Sequence, residues 1–418
     1  MAIVKSQHEL NSQLSKVEFL ESAKRAIPTP AGGGNGAFCG IFQQTLNSYL
    51  NSRVRAILEE FVERGVEQGV QAAAYVNGEL VVDCWAGVAD AASGRPVDGE
   101  TLFTTWSASK GVAATALHVL AERVALRYDM RVAELWPEFA VNGKQDITVA
   151  QVLAHTAGIP QIADGVTPDE ILDWERICRR VAGLTPLWKP GTATGYHAMN
   201  YGWLVGEIVR RASGRPFDEF VRAEVFAPLG IRDLYFGVPP EAEGRVATLE
   251  EGPAAEPADP GPVIAVPVIA TPLWRVPPSP WANQPKVRRA CVPSSGMIGN
   301  ARSLAMHYAG LLDGRLLPAE RVRAAAALQI EAIDVTGGTL ARRALGYELG
   351  GPLSAQGERL SAFGHGGLGG TAGFADPELG LAFALTKNRL RYDPAGKGVA
   401  YAVAEAVRAN LSRQRVFA

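Results

Sequence analysis

Ser107 and Lys110 are the residues whose types and spacing most directly suggest chemistry. They form the one Ser-x-x-Lys of the chain, in Thr104-Thr105-Trp106-Ser107-Ala108-Ser109-Lys110-Gly111. Val112, Leu117 and Leu120, with Ala113 and Ala114 between, have helix-favouring apolar spacing. Ser107 is therefore expected at the first turn of a helix, with Lys110 on the same face one turn on. A serine hydroxyl attacks poorly until a neighbour takes its proton. A lysine drawn partly out of water loses its preference for the charged form and can be that neighbour. The helix N-terminus adds N–H groups that favour developing negative charge. The pattern is loose, and a chain of this length carries about one by chance, so its setting decides.

Two further stretches bear on that setting. Gly195-Tyr196-His197-Ala198 follows the turn Lys189-Pro190-Gly191 and precedes a helix expected from Asn200. Beside a charged lysine the phenol of Tyr196 would have its pKa lowered and could act as a base. Standing alone, the stretch reads more readily as a core tyrosine with a satisfied hydroxyl. Phe363-Gly364-His365-Gly366-Gly367-Leu368-Gly369-Gly370-Thr371 is glycine-dense and matches G-x-G-x-x-G. A dinucleotide site is excluded, because strand-like sequence follows it and no βαβ unit surrounds it. Glycine there lets backbone approach a ligand closely, and backbone N–H groups along such an edge can hold an oxyanion. His365 is either a residue that steers substrate or passes a proton, or a structural histidine bonded to backbone. There is no G-x-S-x-G and no H-E-x-x-H, and the six histidines are scattered. Neither a metal site nor a cofactor is expected.

Bulk composition narrows the partners. A net charge of −2 gives no electrostatic case for nucleic acid or an anionic membrane. Cys39, Cys84, Cys178 and Cys291 are far apart, with no C-x-x-C, and read as free thiols. No apolar signal-peptide core follows Lys5 and no run reaches membrane-spanning length, so a cytoplasmic protein is expected. The oligomeric state, monomer or homodimer, stays open.

The elements that must position these residues read as α+β. Residues 1–46 are expected to be an N-terminal extension, with an amphipathic segment at 9–25 and a Gly/Pro linker at 28–36. Val54, Ile57, Leu58 and Phe61 mark a helix over 53–64, closed by Gly65. Residues 70–76 and 79–85 flank Asn77-Gly78, a strong hairpin signal. A sheet domain of 47–125 plus 294–418 is expected, carrying strands at 345–348, 362–364, 372–376 and 381–387, a helix at 301–312 and a closing helix at 398–411. Residues 126–293 form a helical subdomain with helices at 147–155, 167–180, 200–213 and 217–226. Its last part, 237–293, holds thirteen of the 27 prolines and reads as a long excursion with short strands at 263–266 and 268–270. Trp274 and Trp281 within it are expected in a substrate wall.

Taken together, the three stretches resemble the serine β-lactamase, penicillin-binding protein and family VIII carboxylesterase superfamily over residues 47–415. Val152 to Pro160, Trp188-Lys189-Pro190-Gly191 and Pro293-Ser294-Ser295-Gly296 are also similar to that family. The resemblance implies a β-lactamase/DD-peptidase-like fold, an antiparallel sheet flanked by helices. It implies Ser107 as acylated nucleophile, Lys110 as its activator, and Tyr196 as general base and then proton donor to the leaving group. The oxyanion hole would be the N–H groups of Ser107 and Leu368, and His365, Gly366 and Gly367 would line the substrate site. Two positions depart from the family pattern: Ala198 stands for the asparagine of Tyr-x-Asn, and His365 for the lysine of Lys-Thr-Gly. Loss of a fixed cation weakens recognition of anionic β-lactams and points to small-molecule esters. The expected activity is a serine carboxylesterase. Acyl transfer, weak β-lactamase activity, and a non-catalytic protein on a hydrolase fold are the alternatives.

Overall fold

The computed structural model describes residues 35–123, 125–252, 270–352, 354–391 and 398–417. The chain divides into two compact units, 1–48 and 49–418. The segment expected at 9–25 and most of the linker lie outside the described residues. Helix α1 (Asn35–Glu63) starts well before the expected 53 and includes Asn35 and Gly36 of the expected linker. Its reason is visible in the sequence: Phe38, Phe42, Leu46, Leu50, Val54 and Leu58 continue one i, i+4 apolar stripe. Gly65, at φ 64°, follows its end.

Strands β1 (Gly69–Val76) and β2 (Glu79–Asp90) form the expected hairpin. Asn77 and Gly78 take φ of 50° and 83°, as the tight turn between twisted strands requires. After β3 (Arg95–Pro96) and β4 (Phe103–Thr104), a 3₁₀ turn over Trp106–Ala108 leads into α2 (Ser109–Glu122). Helix α3 (Val149–Leu153) is shorter than expected; Thr148 caps it, and His155 leaves helical space at φ 58°. The capping box at Thr167 and Glu170 opens α4 (Pro168–Leu172). The helix expected through 180 breaks at Asp173, which turns extended and caps α5 (Trp174–Ala182) instead. Helix α6 (Asn200–Ser213) ends at Gly214 as expected, and α7 (Phe217–Val221) continues as a π turn to Phe226. Strands β4, β5 (Leu234–Phe236) and β6 (Met297–Gly299) form a small sheet in the order β4-β6-β5. Where 237–293 is described it holds short helical turns and the two-residue strand Glu250–Glu251. The strands expected at 263–266 and 268–269 lie outside the described residues, and Ala270 is in no strand.

The sheet is completed beyond α8 (Ala301–Leu312) and α9 (Ala319–Ala326). Strands β7 (Ile330–Ile333), β8 (Leu340–Arg343), β9 (Glu348–Leu349), β10 (Phe363–Gly366), β11 (Ala372–Asp376) and β12 (Leu381–Lys387) follow, then α10 (Val399–Phe417). The strand expected at 345–348 turns at Gly346, φ 85°, and pairs only from Glu348. The nine strands run β3-β2-β1-β12-β11-β10-β9-β8-β7, antiparallel throughout. Both faces of its centre are covered. Val70, Ala72, Ala74, Phe374, Phe383 and Leu385 pack with Leu50, Val54, Leu58, Val403 and Val407 of α1 and α10. The alternate residues Ala73, Tyr75, Phe363, Ala375 and Ala384 pack with α2, α6 and α8. This double burial explains why β12 reads as a continuous apolar run, all seven residues buried, and not as an alternation.

Candidate active site

The turn carrying Ser107 is pinned from the small sheet. Thr105 donates from N and Oγ1 to the Met297 carbonyl at 2.9 and 3.0 Å. Ser109 donates from Oγ to the Trp106 carbonyl and accepts from the Met297 N–H at 3.2 Å. Held this way, Trp106 takes φ 51°, a left-handed conformation that costs a non-glycine residue about 1–3 kcal/mol. Ser107 is half-buried, while all its neighbours from Thr101 to Lys110 are buried. Expected in the first helical turn, it sits in the 3₁₀ turn just ahead of α2.

Lys110 is fully buried, with Nζ 3.0 Å from Ser107 Oγ and donating at 2.9 Å to the Ser294 carbonyl. Ser294 comes this near because Gly202 of α6 has no side chain; a Cβ there would stand 2.3 Å from the Ser294 nitrogen. Burial drives the pKa of Lys110 well below the ordinary amine value, Glu348 opposes this and Arg275 adds to it. Burial therefore favours the neutral amine, the form that can accept a proton.

Tyr196 completes the group: its ring centroid is 4.8 Å from Lys110 Nζ, and the nearby Ser107 side chain favours ionisation of its hydroxyl. The sequence suggested a phenol with a lowered pKa, but the structure shows the reverse. Burial pushes it up and Glu348 pushes further, while burial also lowers the pKa of the lysine that was to lower it. Tyr196 is held by its surroundings. Its N–H donates at 3.0 Å to Thr336 Oγ1, whose own hydroxyl and N–H donate to Asp334. Asp334 is ion-paired at 2.5 Å with Arg343, both buried, and Arg343 lies 5.8 Å over the Tyr196 ring. On the other flank, His197 N–H donates to His155 Nδ1 at 3.0 Å, and the His155 ring packs 5.0 Å from Tyr196.

The glycine-dense stretch meets the Ser107 turn at Gly367. A Cβ there would lie 2.4 Å from the Thr105 carbonyl oxygen, so only glycine permits the approach. Leu368 opens the next turn, closed by Gly367 N–H to Thr371 O at 2.7 Å and Gly370 N–H to Gly367 O at 3.0 Å. His365 is buried, with its ring 6.0 Å from that of Tyr196, while Gly366 is exposed.

Trp281 is buried, and Trp274 is half-exposed, donating to the Val166 carbonyl at 3.1 Å. Arg275 links Trp281 to the Ser107 turn. That guanidinium is buried, 4.4 Å over Trp281 and 5.5 Å over Trp106, and donates to Ser295 Oγ at 3.1 Å and to Met199 Sδ. Burial lowers its pKa to about 10, so it stays charged at neutral pH. Arg275, Glu348 and the Asp334–Arg343 pair are not legible as site residues from motifs. The available signal is a lone arginine inside the apolar, proline-flanked run Pro272-Leu273-Trp274-Arg275-Val276-Pro277.

Among the described residues, no group of three or more His, Cys, Asp or Glu is arranged to hold a metal, and no helix is long and apolar enough to cross a membrane. Cys84, Cys178 and Cys291 are free thiols.

This fold, with a serine and a buried lysine from one segment and a tyrosine from another brought together, has known relatives. The chain belongs to the beta-lactamase family, whose profile matches residues 54–408. It is similar to the esterase/beta-lactamase LipL of Mycobacterium tuberculosis, 32% identical over 344 residues, or 76% of each chain. Among solved structures it is similar to a family VIII carboxylesterase, at 32% identity and TM-score 0.79, covering 86% of this chain and 97% of that one. A penicillin-binding protein homologue from Caulobacter crescentus is similar at 32% identity and TM-score 0.78, with the same coverage. The α+β, β-lactamase-like architecture expected from the sequence is the one observed.

Proposed function

We propose that this chain is a serine carboxylesterase that hydrolyses small-molecule esters through an acyl-enzyme on Ser107. The observation that carries the reading is the buried Lys110 amine 3.0 Å from Ser107 Oγ, with the Tyr196 ring 4.8 Å from the same amine. Lys110, its pKa lowered by burial, accepts the Ser107 proton as Oγ attacks the ester carbonyl. The Ser107 and Leu368 N–H groups hold the tetrahedral oxyanion. Tyr196, kept as a neutral phenol, hands its proton to the leaving alkoxide and is reprotonated by Lys110. Water then attacks the acyl-enzyme with the same pair as base, and Ser107 is released. Esterases among the similar proteins support this reading. A cytoplasmic location agrees with the free thiols.

The test is a panel of p-nitrophenyl esters of rising acyl length run beside nitrocefin. Ser107→Ala is expected to abolish ester turnover with an unchanged circular-dichroism spectrum. Wild-type rates in that variant would refute the assignment.

A further inference from the structure

His365 and Glu348 face each other beside the candidate site, and both present acceptors. The His365 side chain is 3% exposed. Its Nδ1 lies 2.6 Å from the Gly366 carbonyl oxygen, which can only accept, so Nδ1 carries the ring proton. Burial holds the ring neutral. Nε2 is then a bare acceptor, and it is buried without a hydrogen-bond partner. The Glu348 Oε1 stands 3.9 Å from it, too far for a hydrogen bond and a charge pair only if the ring were protonated. The Glu348 side chain is 41% exposed and reaches solvent.

The buried Nε2 calls for a donor, because buried polar atoms are rarely left unmet, and the part-exposed Glu348 carboxylate, whose Oε2 accepts from the Gly366 N–H at 3.5 Å, lies beside it to share that donor. A lysine at position 365 would supply it from the chain. With histidine there, the donor has to arrive with the ligand. Room exists: a cavity is lined by Glu348, His365, Gly366, Leu368 and Thr371. Of the cations on that cavity, Lys387 is ion-paired with buried Glu67.

We infer that the site selects esters bearing a protonated amine, whose N–H groups bridge His365 Nε2 and the Glu348 carboxylate, and disfavours esters bearing a carboxylate. The inference rests on the esterase reading above and names its substrate class. An ammonium carries enough hydrogens to serve both acceptors at once, and its bonds to Glu348 are charge-assisted.

The experiment compares kcat/KM for p-nitrophenyl hexanoate, 6-aminohexanoate and the half-ester of adipate. A parallel series carries the amine or carboxylate on the alcohol part. In wild type the amino ester of one series is expected to exceed its neutral match by on the order of tenfold, with the anionic ester below both. Glu348→Gln is expected to erase that ratio by raising the KM of the amino ester. Hexylammonium is expected to inhibit wild type competitively at lower concentration than hexanoate, a readout that needs no variant. Equal rates for amino and neutral esters in both series, or a preference that survives Glu348→Gln, overturns the inference: the acceptors are then met by water alone. Failure to hydrolyse even the neutral hexanoate strikes at the esterase reading instead, so the two failures are distinct.

Discussion

At Lys110 two charges pull in opposite directions on a group that burial has already pushed toward neutrality. Arg275 repels the ammonium form and Glu348 favours it. The other groups facing the amine are the Ser107 hydroxyl, the Ser294 carbonyl and the Tyr196 ring, with His155 and His365 held uncharged by burial. Only the deprotonated amine accepts the serine proton, so activity should fall as pH drops through the depressed Lys110 pKa, along a one-proton limb. Arg275→Gln removes a repelling cation, raises that pKa and should move the limb to higher pH. Glu348→Gln removes a stabilising anion and should move it lower. The check is kcat/KM for a neutral ester against pH in the three proteins. Shifts in the same direction, or none, would remove Lys110 from its role as base. Tyr196, pushed up by burial, should add no alkaline limb below about pH 10.

Two elements hold the reacting groups in place. Between β7 and β8, Asp334 ties Thr336 to the Tyr196 backbone and pairs with Arg343 beneath the ring. Asp334→Ala leaves a buried guanidinium unpaired and should cost about 3–5 kcal/mol of stability, read by urea unfolding. The same variant should lower kcat more than it raises KM, since it frees the phenol and not the substrate pocket. The second element is the turn after β10. Gly367→Ala places a methyl group 2.4 Å from the Thr105 carbonyl oxygen, and backbone has to move. Displacing Leu368 N–H from the oxyanion should lower kcat by about a hundredfold. An alanine variant with full kcat would mean that Leu368 is not a donor.

Over the whole molecule, the sheet is a plate with a core on each face, and the site lies where one of those cores meets the small sheet. Lys110 is buried because α2 is nearly all buried, from Ser109 to Ala121. The charge pattern of the site follows: Arg275 over the Trp106 ring and Glu348 both act on Lys110, beside the imidazole of His365, whose pKa burial lowers. Nitrocefin, an anionic β-lactam, meets a carboxylate in place of a fixed cation there. Its kcat/KM should be about a hundredfold or more below that of a short p-nitrophenyl ester. Comparable values would show that another cation takes the β-lactam carboxylate.

Local signals carried much of this protein. Asn77-Gly78 specified its hairpin, Thr167 and Glu170 their capping box, Gly214 the end of α6, and Ser107, Lys110 and Tyr196 stood out by type, spacing and family pattern. These features are set by neighbours within a few residues, where backbone sterics and helix periodicity act. Tertiary structure alone decided the rest. The direction of the Tyr196 shift is set by its own burial and by Glu348, and the Lys110 amine bonds a carbonyl 184 residues away, that of Ser294. Arg275 and Glu348 act on the site through space, and no spacing along the chain encodes a distance between separate strands and loops.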